Sequence, residues 1–492
     1  MIETSAIFEA LSTVATPYMF FWILLGITIG IIVGAIPGVG SVLGMSIVLP
    51  LTIPLSGTEA NILLISIFSG AMYGSSISAI ILRVPGTAAA AATLLDGYPI
   101  TERGEPRYAL SLSVVSSALG GSLTMLLLLL LVPFLTPIVL LFGSPQIFLV
   151  SIFGILMIGM IASQGSFIKG FTSGMFGILV MTIGVAPATP GARFTFDSIL
   201  LYNGLDYVVI LIGMFAIGEM LRASDVSATG ATDITSGGSV LKGVKTSVKN
   251  YYLLIKSGLI GMGIGAIPGA GSSASNFFSY AEAVRGSSTP EEFGTGKAEG
   301  VIAAEASNNG TVAGSVMPVI AFGVPGSAAT AVLLAGFILH GITPGPELFS
   351  DQLDFTYSLI FALLFGNVLI LAIGLTIIPY IGRYIADLRM DVIIPVVVVL
   401  STIGAYTLRT NWIDLLTIFV FGVLAYFMYR YNYSVIAMVI GAVLAGIIEV
   451  NLERSLVLGD WSPTIFISDP VSVIIILIMG AFILFPVAQK HL

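Results

Sequence analysis

A proline–glycine pair inside a long apolar run frees backbone amides and carbonyls that lipid cannot satisfy. This chain places such a pair in the same seven-residue setting twice, GAIPGVG at 34–40 and GAIPGAG at 265–271. Each copy interrupts a run that would otherwise read as one spanning helix. Breaks of this kind survive only where protein or a water-filled cavity encloses them. A matched pair in corresponding halves of a chain therefore points to a transporter's binding site.

Composition narrows the class. The 492 residues are 57% hydrophobic and 9% charged, with mean hydropathy +1.06, which no soluble domain matches. The expected fold is an all-α polytopic membrane protein. The start has no basic region or small-residue cleavage site, so the first apolar stretch is read as retained. Cysteine is absent and His340 and His491 are the only histidines, which excludes disulfides, thiol catalysis and a histidine-rich metal centre. No basic face exists to neutralise phosphates, so nucleic acid is not a partner. There is no P-loop and no carboxylate pair spaced for intramembrane catalysis, so no enzymatic activity and no cofactor are expected.

Along the chain, an apolar segment at 18–36 ends at Pro37-Gly38, and a shorter piece at 42–55 reads as a half-helix or re-entrant arm. A run at 60–84 stops at Pro85-Gly86, and an alanine-rich piece at 87–95 is closed by Asp96-Gly97-Tyr98-Pro99. Apolar segments at 108–142, 145–162, 167–186 and 205–221 follow. The stretch 222–250 is polar, and five of the chain's 18 basic residues (Arg222, Lys242, Lys245, Lys249 and Lys256) lie in or beside it. The positive-inside rule makes it a cytoplasmic linker and puts the basic-free N-terminus outside.

After the linker the order recurs. A run from 251 ends at Pro268-Gly269, a short piece spans 274–284, and a polar loop occupies 285–299. The next run ends at Pro325-Gly326, and further apolar segments lie at 327–339, 352–381, 392–408, 412–429, 433–448 and 471–488. The stretch GSSISAIILRVPGTAAAAATLLDGY at 74–98 matches GSVMPVIAFGVPGSAATAVLLAGF at 314–337. Two internal repeats are thus expected, 1–221 and 251–492, with broken helices and re-entrant hairpins. An inverted relation would bring all four breaks together at mid-membrane.

A helix starting just after a break aims unpaired N–H groups and a positive dipole end at it, a ready anion site. Glycines admit the ligand, hydroxyls add donors, and carbonyls ending the preceding helix can hold a cation. The candidate substrate-binding residues are therefore Gly38, Gly40 and Ser41; Gly86 and Thr87; Gly269, Gly271, Ser272 and Ser273; Gly326 and Ser327. Arg83, beside the second break, either faces the cavity and binds a carboxylate or snorkels to the interface; Gly323 is its counterpart. Glu305, Asn308 and Asn309 either carry the oxygens that sodium or a proton relay would use for ion coupling or cap their helix and anchor it at the interface. Asp96 is read as a turn cap.

The motifs GAIPGVG, YGSSISAIILRVPGTAAAAATLLDGYP, GAIPGAG, GKAEGVIAAEASNNG and FGVPGSAATAVLLAGFILHGITPGPELF, in this order, resemble the large membrane subunit of the tripartite tricarboxylate transporters, the TctA family. The resemblance implies a multi-pass inner-membrane protein that works with a small membrane subunit and an extracytoplasmic substrate-binding protein. It implies import of di- or tricarboxylates coupled to sodium or protons, by an elevator-like movement within membrane lipid. A standalone carrier or a gated channel is the alternative. The chain departs from the family pattern at Arg83, where asparagine is usual, and at Gln146, where glutamate is usual.

Overall fold

Proline decides where the first broken helix stops. Ile36, forced out of the helical region by Pro37, sits at φ −82° and ψ 119°, and α2 (Pro17–Ala35) ends there. Its start is equally local: Thr16 accepts a hydrogen bond from the Met19 amide (3.3 Å), and Pro17 occupies the first turn. The structure, a computed structural model, describes residues 4–161, 166–186, 191–223, 237–380, 384 and 390–489.

The described chain is almost wholly helical. Ahead of α2 lies α1 (Thr4–Val14). After it come α3 (Gly40–Val48), α4 (Gly57–Leu82), α5 (Ala91–Glu102), α6 (Pro106–Val139), α7 (Ser144–Ile161) and α8 (Phe167–Met181). Then α9 (Tyr207–Ile212) passes through a π-helical turn (Gly213–Ile217) into α10 (Gly218–Ala223). The remainder is α11 (Val240–Lys249), α12 (Tyr251–Gly265), α13 (Gly271–Gly286), α14 (Ala298–Phe322), α15 (Ala328–Leu339), α16 (Leu353–Thr376), α17 (Met390–Arg409), α18 (Trp412–Arg430), α19 (Val435–Leu458) and α20 (Pro470–Gln489). Among the described residues the only strands are the two-residue β1 (Gly184–Val185) and β2 (Ala192–Arg193), paired antiparallel. Seven of the described helices are long and apolar enough to cross a membrane.

The centre is built from α4 and α14. Residues 60–81 of α4 and 300–316 of α14 are all buried, so their serines, asparagines and the single glutamate face protein rather than lipid. The lipid-facing apolar surface lies elsewhere, for example at Leu130 and Phe134 of α6 and at Leu416 and Val420 of α18, all more than half exposed. Close approach through small residues holds the centre to its neighbours. A Cβ on Gly30 of α2 would stand 2.4 Å from the Ile67 carbonyl oxygen of α4, and one on Gly70 would stand 2.6 Å from that of Ile27. Between α12 and α14 the same reciprocity appears, at 2.2 Å for Gly261 against Ser307 and 2.5 Å for Gly310 against Gly258.

Several boundaries differ from the sequence reading. The alanine-rich helix α5 runs on to Glu102 with Pro99 inside it, and the Asp96 carboxylate bonds outside its own turn. The short piece after the first break begins at Gly40 and finishes as a 3₁₀ turn at Leu49–Thr52, too short to span. The segment expected to end at 448 continues to Leu458. Residues 224–236 of the expected linker lie outside the described residues. Its end, α11, is an ordered helix capped by Ser239 and seated on α6, where Lys242 pairs with Glu105 at 3.3 Å. At its beginning, Arg222 lies in the last turn of α10.

Candidate functional site

The four breaks meet in pairs. The Gly38 amide donates to the Gly86 carbonyl (3.2 Å), and the Gly269 amide donates to the Gly326 carbonyl (2.9 Å). The backbone at the first and third breaks is nearly superposable in angle: Gly38 and Gly269 have φ of 80° and 82°, Gly40 and Gly271 of 66° and 64°. These left-handed values favour glycine and turn the chain sharply enough to begin α3 and α13 at once. At the second and fourth breaks α4 and α14 both stop on a left-handed residue, Arg83 (φ 59°) and Gly323 (φ 67°).

All four breaks line one cavity of about 490 Å³, within the range of small-molecule sites. Gly38, Gly40 and Ser41 contribute from the first, and Gly86 and Thr87 from the second. Gly269, Gly271, Ser272 and Ser273 contribute from the third, and Gly326 and Ser327 from the fourth. Neither α3 nor α13 has a side-chain cap, so their first amides are left for whatever enters the cavity. Thr87 lines the cavity too, and its buried hydroxyl has no hydrogen-bond partner among the described residues. The Ser327 hydroxyl is already committed, because it forms a capping box with Thr330 at the start of α15.

Arg83 is not brought to the cavity. It is exposed, with its guanidinium 5.4 Å from the centroid of the Tyr98 ring, and it does not line the cavity. Asp96 caps no turn of its own. One carboxylate oxygen accepts the amides of Gly294 (2.9 Å), Gly296 (2.8 Å) and Lys297 (2.7 Å), and the other accepts the Tyr280 hydroxyl (2.9 Å). It ties α5 to the loop that leads into α14.

Glu305, Asn308 and Asn309 lie behind the cavity wall and point to different neighbours. The Glu305 carboxylate accepts the hydroxyls of Thr93 and Ser117, each at 2.5 Å, with those of Ser76 and Ser113 also facing it. Asn308 accepts from the Asn276 amide (3.1 Å) and donates to the Met72 carbonyl (2.8 Å). Asn309 instead donates to Asn367 of α16 (3.3 Å). A polar chain links this layer to the cavity: Thr311, on the wall, shares a hydrogen bond with Ser275 (2.7 Å), which donates to Asn276 (3.3 Å). Gln146 has its own explanation, since its amide donates to Asp469 (2.9 Å), where a glutamate would meet a like charge.

Sequence reasoning missed Glu219, Arg222 and Tyr429, all on the cavity wall. Arg222 was read as linker because polar residues follow it, and Tyr429 comes from a distant helix that carries no motif. One signal was available, a lone glutamate in the otherwise apolar run GMFAIGEML.

Comparison with known proteins places the chain in a family. An uncharacterised 52.8 kDa protein from the TAR-I ttuC′ 3′ region of Agrobacterium vitis is 29% identical over 466 residues, 94% of this chain and 91% of that protein. A second uncharacterised protein, from the TAR-II ttuC′ 3′ region of the same organism, is 31% identical over 211 residues, 42% of this chain and 86% of that protein. No solved structure matches the chain. The sequence profile of the tripartite tricarboxylate transporter TctA family matches residues 20–440, nearly the whole of the broken-helix framework. This chain belongs to that family and is a multi-pass membrane subunit of a tricarboxylate transporter.

Proposed function

We propose that the chain imports di- or tricarboxylates through the cavity between its four breaks, as the large subunit of an ion-coupled secondary transporter. In this reading a small membrane subunit packs beside it and an extracytoplasmic binding protein delivers the substrate. The observation that carries the proposal is the pair of uncapped helix starts, α3 and α13, opening on the one cavity that all four breaks line. Amides aimed at a site of low dielectric attract carboxylates. The two halves, 1–221 and 251–492, are inverted repeats in this proposal, and an elevator-like movement carries the broken-helix unit between the two faces of the membrane.

Glu305 is the coupling group, and the proton is the ion it favours. Hydroxyls both donate and accept, so Thr93 and Ser117 can serve either protonation state of the buried carboxyl. A sodium site needs several converging oxygens, whereas Glu305, Asn308 and Asn309 diverge. Glu305→Gln keeps the volume and cannot titrate. It is expected to cut gradient-driven uptake at least ~10-fold while substrate exchange persists, since a positioned proton transfer contributes ~10² or more. Undiminished uptake under a pH gradient would remove Glu305 from coupling.

The test of the whole reading is uptake of a carboxylate panel by proteoliposomes holding the complete complex, with and without the binding protein and under pH or sodium gradients. Accumulation without the binding protein identifies a standalone carrier. Flux that neither saturates nor follows a gradient identifies a channel.

A further inference from the structure

The cavity wall carries a charged pair that the broken-helix motifs do not include. The π-helical turn at Gly213–Ile217 and the close packing of Gly213 and Gly218 on α18 set Glu219 and Arg222 opposite Tyr429. The guanidinium of Arg222 donates to Glu219 through Nε and Nη2, both at 2.9 Å, and lies 4.9 Å from the Tyr429 ring centroid. The Tyr429 hydroxyl donates to the other oxygen of Glu219 at 2.6 Å. Among the described residues, Arg222 is the one cationic side chain on this wall and Glu219 the one carboxylate. They are unequally accessible, since the Arg222 side chain is 51% exposed and that of Glu219 17%.

We propose that Arg222 is the residue that recognises the substrate's carboxylate, and that Glu219 holds its place until substrate arrives. The inference rests on the carboxylate-transport reading above and adds the specificity-determining group. An arginine placed over a tyrosine ring presents a planar fork that suits a carboxylate. With Glu219 in contact, the empty cavity has no uncompensated cation to trap small inorganic anions. A substrate with two or three carboxylates places one on Arg222 and another at the uncapped start of α3 or α13, and so outcompetes a single internal carboxylate. On release Glu219 reclaims the guanidinium. The cycle is a displacement, in which Glu219 keeps the Tyr429 hydroxyl as its partner while substrate occupies Arg222.

Two variants should move affinity in opposite directions. Saturable uptake of a di- and tricarboxylate panel led by succinate and citrate is measured in proteoliposomes holding the complete complex, with membrane levels checked in parallel. Arg222→Gln is expected to raise KM at least ~10-fold, the size of a lost charge-assisted contact. Glu219→Gln is expected to lower KM about threefold or more and to slow turnover by retaining substrate, because the competitor is gone. A fall in KM cannot arise from poor folding, so this variant guards against misfolding of the first. Arg222→Lys should fall between wild type and Arg222→Gln, keeping charge without the fork. Wild-type uptake with KM unchanged in both Arg222→Gln and Glu219→Gln overturns the inference and leaves the transport reading standing. If the wild-type complex takes up no member of the panel, the transport reading falls, and this inference with it.

Discussion

Replacing Gly86 with alanine is expected to abolish most uptake and to destabilise the chain by ~2 kcal/mol or more, the scale of overpacking against an unyielding neighbour. The added Cβ would lie 2.3 Å from the Gly34 carbonyl oxygen and 2.8 Å from the Ser75 Cα, and backbone cannot rotate away as a side chain can. Gly86 also accepts the Gly38 amide and donates to the Ser75 carbonyl, so its displacement moves the first and second breaks together. The corresponding change at Gly326 is far milder by geometry, since the nearest atom, the Gly265 oxygen, is 3.2 Å away. Gly326→Ala should retain most uptake, and only a bulkier side chain such as valine should abolish it. The check is paired: uptake and thermal melting of the two alanine variants in the same preparation. Indistinguishable behaviour would show that the tight approach at Gly86 is not what holds the first pair of breaks.

The second large effect is expected at Asp96. Asp96→Ala leaves three backbone amides and the Tyr280 hydroxyl without their acceptor, at ~1–3 kcal/mol for each buried group that finds no water. A loss of ~3 kcal/mol or more is a large part of a typical stability, so little folded protein should reach the membrane. Asp96→Asn keeps one carbonyl oxygen for the amides and should be intermediate. Melting of the detergent-purified variants separates the cases. A wild-type melting point for Asp96→Ala would mean that the 294–297 loop holds itself.

Much of this was legible in advance because it is local. A proline disfavours helix at the residue before it and a following glycine admits a sharp turn, so four Pro-Gly pairs mark four breaks, whereas Pro99 without such a glycine stays inside α5. The glycines at 38, 40, 269 and 271 reflect left-handed turns that other residues adopt only at a cost. The apolar runs likewise place most of the helices, though the run expected to end at 448 stops ten residues short of the end of α19. Glu305 is legible as a carboxylate entering an apolar run, though its full burial is decided by the packing around α14.

The remainder depended on residues far apart in the chain. Asp96 and the amides at 294–297 are neighbours only because α5 packs against α13 and α14, and no turn statistic at Asp96 could reveal that. Arg83 and Arg222 show the same limit from two sides. By position Arg83 lies beside a break and Arg222 at the edge of a polar stretch, yet the first sits over the Tyr98 ring outside the cavity and the packing of α9 and α10 on α18 brings the second in. The sequence by itself determined that this is a helical membrane protein interrupted at four points, because backbone hydrogen bonding and proline geometry act within a few residues. Only the tertiary structure decided which charges face the cavity, because a side chain's surroundings are set by helices that meet across hundreds of residues.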